Sequence, residues 1–166
     1  MKKYLGAIIS GLLGVLTYVF LSIPQMLTKA TFLGQTESNT TNAWDIIKED
    51  PGMEIAGYGL YKFAVIALAI VAGVLIVCSV VMLLKNVLKL KFNLNIINNI
   101  VLAALAVLAV LALIALFVMG ADMKELMGII PDGAELYIGP GVGAWLNAIL
   151  AVVGCAGGWI FARKAD

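Results

Sequence analysis

Histidine is absent from the 166-residue chain, and only 13% of its residues are charged. Without histidine there is no imidazole base, no Ser–His pair and no histidine-containing metal site. Soluble domains carry roughly 25% charged residues, so the composition argues against both a soluble globular fold and a disordered chain. Cysteine is scarce as well. Cys78 and Cys155 lie inside apolar runs and read as small core residues, rather than as an extracellular disulfide framework or a buried redox pair. No Asp, Glu, Lys or Arg stands at the centre of any long apolar run. Such groups mark proton relays, voltage sensors and ion paths, and an aspartyl pair for intramembrane proteolysis is missing with them. No glycine-rich phosphate loop adjoins a usable lysine. The expectation is a non-enzymatic protein with no catalytic residue, cofactor, metal or nucleic-acid partner.

What is abundant is hydrophobic side chain, 63% of the sequence. Four stretches are long enough to cross a hydrocarbon core, which takes roughly 20 helical residues: about 4–24, 63–84, 100–119 and 141–162. The runs are continuous rather than alternating, against a β-barrel, and the third has no polar stripe for a soluble bundle. Lys2 and Lys3 before the first run resemble a signal peptide, but the run is long and lacks a small-x-small cleavage site, so it reads as a retained span. The expected fold is an all-α membrane domain over 1–166. It is a four-transmembrane-helix bundle with a cytoplasmic loop at 85–99 and outer loops at 25–57 and 122–140. Those outer loops form a small cap that holds a short helix or strands.

Charge sorts by side. Lys2, Lys3, Lys85, Lys89, Lys91, Arg163 and Lys164, with only Asp166 as an acid, give +6 on one face. Four lysines and nine acids give −5 on the other, which sums to the chain's +1. The positive-inside rule then makes both termini cytoplasmic, with an added attraction to anionic inner-leaflet lipid open to that side. Lysine outnumbers arginine ten to one, which points to an AT-rich bacterial source and a cytoplasmic plasma membrane.

In the first outer loop, Gly34, Asn39, Asn42, Pro51 and Gly52 supply turn chemistry. Asn42 and Asp45 predict a short helix over 43–49, capped by Asn42. Trp44 and Ile47 share one of its faces, either seated on the bundle or offered to a partner. Asn39-Thr-Thr41 matches the glycosylation acceptor pattern. In the second outer loop, Met123, Leu126, Met127 and Ile130 fall on one helical face, as a continuation of span three or as a flat interfacial helix. Pro131-Asp-Gly133 then turns the chain.

Small residues form two faces. Gly6, Ser10, Gly14 and Thr17 lie within an arc of about 80° at 100° per residue, and Gly143, Asn147, Ala151, Gly154 and Gly158 do the same. Small residues let helices approach closely in lipid, so spans one and four are expected to pack antiparallel through these faces, or to use them between subunits. The alanines at 103, 106, 109, 112 and 115 have a three-residue period that spirals round the helix and marks no face.

Two stretches resemble the claudin-like tetraspan family. LSIPQM at 21–26 is similar to that family's small-Leu-Pro-Gln-Trp run. GAELYIG at 133–139, leading through PGVGAWLNAILAVVGCAGG to 158, is similar to its Gly-Ala-x-Leu-Tyr-x-Gly-Trp run and glycine-rich fourth span. The family's first-loop Gly-Leu-Trp and paired cysteines are absent here. The resemblance implies a left-handed four-helix bundle with an extracellular β-sheet, and a role in adhesion, side-by-side assembly or paracellular pores. Three functions follow for the chain: lateral assembly with itself or a membrane partner, a pore or transport subunit formed between protomers, or a membrane immunity or accessory factor.

Overall fold

The structure, a computed structural model, describes residues 2–49, 54–88, 94–126, 128 and 134–163. Five helices and three strands follow in the order α1 (Lys2–Leu21), β1 (Pro24–Phe32), β2 (Gln35–Asn42), α2 (Ala43–Lys48), α3 (Tyr58–Leu88), α4 (Leu94–Leu126), β3 (Ala134–Pro140) and α5 (Val142–Arg163). The chain is mostly helical, as a multi-pass membrane protein. Among the described residues three helices, α3, α4 and α5, are long and apolar enough to cross a bilayer, while the apolar part of α1, Leu5–Leu21, is shorter. The four long helices meet in a closed ring, α1 on α3, α3 on α4, α4 on α5 and α5 back on α1. The strands gather at one end of the ring, and the start of α1 and the end of α5 lie at the other.

Burial explains the ring. Along α4 the buried positions include Asn98, Leu102, Leu105, Ala109, Ala112, Leu116 and Met119, which alternate four-residue and three-residue steps, with Ala115 and Gly120 buried beside them. Tyr61, Val65, Leu68, Ala72, Leu75 and Ser79 repeat the pattern on α3. Ala7, Ser10, Gly14, Thr17 and Leu21 repeat it on α1, and Ala144, Asn147, Ala151, Gly154 and Gly158 on α5. A 3.5-residue repeat keeps one seam facing inward only if helices cross at a small left-handed angle. Opposite each seam the surface is apolar and exposed, as at Ile8, Leu12, Val15 and Val19 of α1 and Phe63, Ile66, Ile70 and Val74 of α3.

Helix ends differ from the expected loop boundaries. The connection expected at 85–99 is mostly helical, because α3 runs to Leu88 and α4 begins at Leu94. The run expected at 100–119 continues as helix to Leu126, since no glycine or proline interrupts it after Gly120. Gly128, at φ +75, then donates its N–H to Glu125 O at 3.1 Å, a helix-ending turn. Met127, Ile130 and Pro131–Gly133 lie outside the described residues, as do Pro51 and Gly52. Helix α1 stops at Leu21 because the residue before Pro24 is steered out of the helical region.

The sheet is antiparallel in the order β2-β1-β3, so the segment after α4 adds a strand to the hairpin that follows α1. Phe32 pairs with Gln35 around Leu33 (φ 50) and Gly34 (φ 79), a two-residue turn with both φ values positive. Asn39, expected in a turn, is inside β2. Between Ala115 and the start of α3 the backbones nearly touch. A Cβ on Gly57 would sit 2.8 Å from Ala115 O, and its φ of +81 already disfavours a side chain. Gly57→Ala should therefore cost about 1–3 kcal/mol, read as a lower thermal midpoint in detergent. Gly59→Ala, with nothing within 4 Å of its Cβ, should leave the midpoint unchanged.

Candidate functional site

The small-residue faces lie on the seam. Ser10, Thr17 and Asn147 are buried, at 1%, 1% and 3% exposure, and Gly14, Gly143, Ala151, Gly154 and Gly158 are buried with them. Their contacts are with the chain's own elements. A Cβ on Gly154 would run into the Leu13 side chain of α1, and one on Gly158 into Leu102 of α4. Helices α1 and α5 thus pack antiparallel, with a leucine knob seated over a glycine rather than two glycine faces in register. Gly14 turns elsewhere than the sequence pattern implied: its Cβ would lie 2.7 Å from Ala72 O and 2.8 Å from Ile76 Cγ1, both on α3. Gly6 has nothing within 4 Å of its Cβ position and takes no part in a close approach.

The seam is polar at its two ends and apolar between them. At the terminal end, Asn98 Nδ2 of α4 donates to Ser10 Oγ of α1 at 2.9 Å, across the ring. Ser10 Oγ donates onward to Gly6 O at 3.0 Å, and Ser79 Oγ of α3 donates to Ala7 O at 2.6 Å. A Cβ on Gly11 would lie 2.5 Å from Ser79 Oγ, so the glycine makes room for that bond. Three helices are tied at one level. Hydrogen bonds between membrane helices contribute about 0.6–2 kcal/mol each. Asn98 and Ser79 carry no signal in helical small-residue arcs; the 3.5-residue repeat, traced through Leu102 and Leu105 or Ala72 and Leu75, would have found both.

At the sheet end the two family-like stretches meet. Gln25 Nε2, 2% exposed as a residue, donates to Phe20 O at 2.6 Å and caps the end of α1. Gln25 O accepts from Gly141 N at 2.6 Å. A Cβ on Gly141 would lie 2.6 Å from Pro24 O, and one on Gly143 would collide with the Gln25 side chain. The Ile-Pro-Gln bend and the Gly-Pro-Gly-Val-Gly start of α5 therefore form one junction that fixes α5 against α1 and β1. Nearby, β3 lies on α4 at Gly120, where a Cβ would meet Ile138 O at 2.5 Å.

Trp44 and Ile47 belong to the cap. The Asn42 side chain accepts from Asp45 N at 3.0 Å and starts α2. Trp44 Nε1 donates to Ser22 Oγ at 3.1 Å, and its ring stacks on Tyr18 at 6.5 Å between centroids. Tyr18 OH donates to Ala69 O of α3 at 2.6 Å. Ile47 packs on the core, and Tyr58 OH bonds Ile46 O and Glu49 O at the far end of α2. Both faces of the short helix are thereby anchored to the bundle, and both residues are half-buried.

Chemically the arrangement holds helices together. Among the described residues no three His, Cys, Asp or Glu side chains converge as metal ligands, and Cys78 and Cys155 are unpaired. Gly154→Leu should destabilise the bundle by about 1–3 kcal/mol through overpacking against Leu13, whereas Gly157→Leu, with open space at its Cβ, should not. Asn98→Leu should lower stability by about 0.6–2 kcal/mol; denaturant titration in mixed micelles measures all three. No protein-family model matches the chain, and no curated protein matches it.

Proposed function

We propose that the chain is a four-span protein of the plasma membrane, with α1 as the fourth span, both termini cytoplasmic and the sheet end outside. It acts without catalysis, by lateral assembly with itself or with a membrane partner, in the manner of claudin-like tetraspan proteins. The apolar part of α1 is 17 residues, at the short limit of the range that spans a bilayer. Its outward face matches those of α3 and α5 in exposed apolar side chains, which supports immersion in the same medium. The charge division supports the orientation. Among the described residues Lys85 lies at the terminal end of α3, whereas Glu37, Asp45, Glu49, Asp122 and Glu135 lie at or beside the sheet end.

One observation carries the functional reading. The small-residue faces are filled by the chain's own side chains, while β2 is exposed from Gln35 to Thr40 at the sheet end. Contacts with other molecules are therefore assigned to that end. A sheet built from both outer segments also supports the claudin-like reading, although the first-loop cysteines are missing.

Two measurements test this. A Glu135→Cys variant should react with a membrane-impermeant maleimide on intact cells, and Lys85→Cys only after lysis; the reverse pattern would refute the orientation. Native mass in mild detergent should exceed that of one chain. An oligomer that releases ions from reconstituted liposomes would instead favour the pore reading.

A further inference from the structure

The free edge of the sheet is β2. It is eight residues long, and six of them are exposed. Edge strands of this length are normally blunted by lysine, proline, a bulge or a covering element. β2 has neither lysine nor proline, and the register shift in the hairpin lies at its far end, between Pro24 and Met26.

Hairpin geometry says which backbone groups face outward. With a two-residue turn, Phe32 and Gln35 form the first hydrogen-bonded pair, and bonded and non-bonded pairs then alternate. Gln35, Glu37, Asn39 and Thr41 thus direct their backbone groups at β1. Thr36, Ser38 and Thr40 direct theirs away from the sheet. Two contacts agree with this phase. Thr31 Oγ1 and Thr36 Oγ1 lie 3.1 Å apart, as side chains of a non-bonded pair do, and Thr40 N, facing outward, donates to Asn39 Oδ1 at 2.8 Å.

We propose that this edge is an interface for a second copy of the chain, with the two β2 strands pairing antiparallel about a two-fold axis at Ser38. The proposal rests on the assembly reading above and names its partner. Strand addition uses backbone bonds for affinity and side-chain pairs for register. In this register Ser38 exchanges both backbone bonds with Ser38 of the second copy, and Thr36 faces Thr40. Glu37 faces Asn39, whose amide can donate to the carboxylate. A shift of one residue toward the turn would set Glu37 against Glu37, a like-charge pair that opposes pairing. The strand is therefore self-complementary in its polar side-chain pairs, as a two-fold contact requires.

Disulfide trapping in liposomes tests the register. Directly opposed, hydrogen-bonded residues are about 5.5 Å apart at Cα, within reach of a disulfide. Under mild oxidation Ser38→Cys should convert most of the protein to covalent dimer. Thr36→Cys alone should not, because its opposite number is Thr40, and the Thr36→Cys/Thr40→Cys double variant should. Ser38→Pro removes an outward N–H and leaves the pairs to β1 intact, so it should halve the native mass with an unchanged thermal midpoint. Equal trapping of Thr36→Cys and Ser38→Cys would mean random collision and would overturn the proposal, as would a Ser38→Pro dimer. An oligomer with no Ser38→Cys bridge would overturn the edge contact and leave assembly standing; a monomeric parent chain would overturn both.

Discussion

Helices in a bilayer gain nothing from hiding apolar surface from one another, because lipid tails are as apolar as leucine. Close van der Waals contact and the hydrogen bonds it permits must hold them. The inward seam of this protein answers that constraint. Glycine, alanine and serine recur at 3.5-residue spacing, and each small position receives something from a neighbour. Leu13 fits over Gly154, Leu102 over Gly158, and the Ile76 side chain and the Ala72 carbonyl against Gly14. The rest of the architecture depends on this fit. If the helices stood farther apart, Asn98 could not reach Ser10, nor Ser79 reach Ala7.

The same logic governs the sheet end. Backbone leaving a helix exposes unpaired carbonyls, and Gln25 covers those of α1 from a buried position made possible by the absence of a side chain at Gly143. The bend at Pro24 then starts β1, and β1 provides the edges on which both other strands assemble. One short stretch, 21–26, ends a helix, anchors α5 and begins the sheet. The seam uses up the small-residue faces within the chain, so the surfaces left for other molecules are the lipid-facing apolar flanks and the polar strand β2.

Much of this was legible in the sequence. Continuous apolar runs mark the long helices, and Asn42 with Asp45 marks α2 to within a residue. The small-residue arcs pick out positions that are buried, with Gly6 as the exception. Other features were hidden for physical reasons. β2, Gln-Thr-Glu-Ser-Asn-Thr-Thr-Asn, has no apolar alternation because neither of its faces is buried, and it becomes a strand by pairing with β1. Asn98 looked like part of a polar loop because asparagine is a turn residue; inside α4 its Nδ2 donates to a serine 88 positions earlier. Partner choice was hidden as well. A face of small residues says that something comes close, but a single sequence does not say which helix, and Gly14 meets α3 where Gly154 meets α1.

The central claim is that the small-residue faces are filled from within one chain, leaving interaction to the sheet end. Disulfide trapping between Leu13→Cys and Gly154→Cys in lipid tests it most directly. A chain carrying both substitutions should form the bridge internally and migrate as a single chain. Two singly substituted, differently tagged chains made together should form none. A bridge linking the two tags would contradict the account, because it would place the α1–α5 contact between molecules.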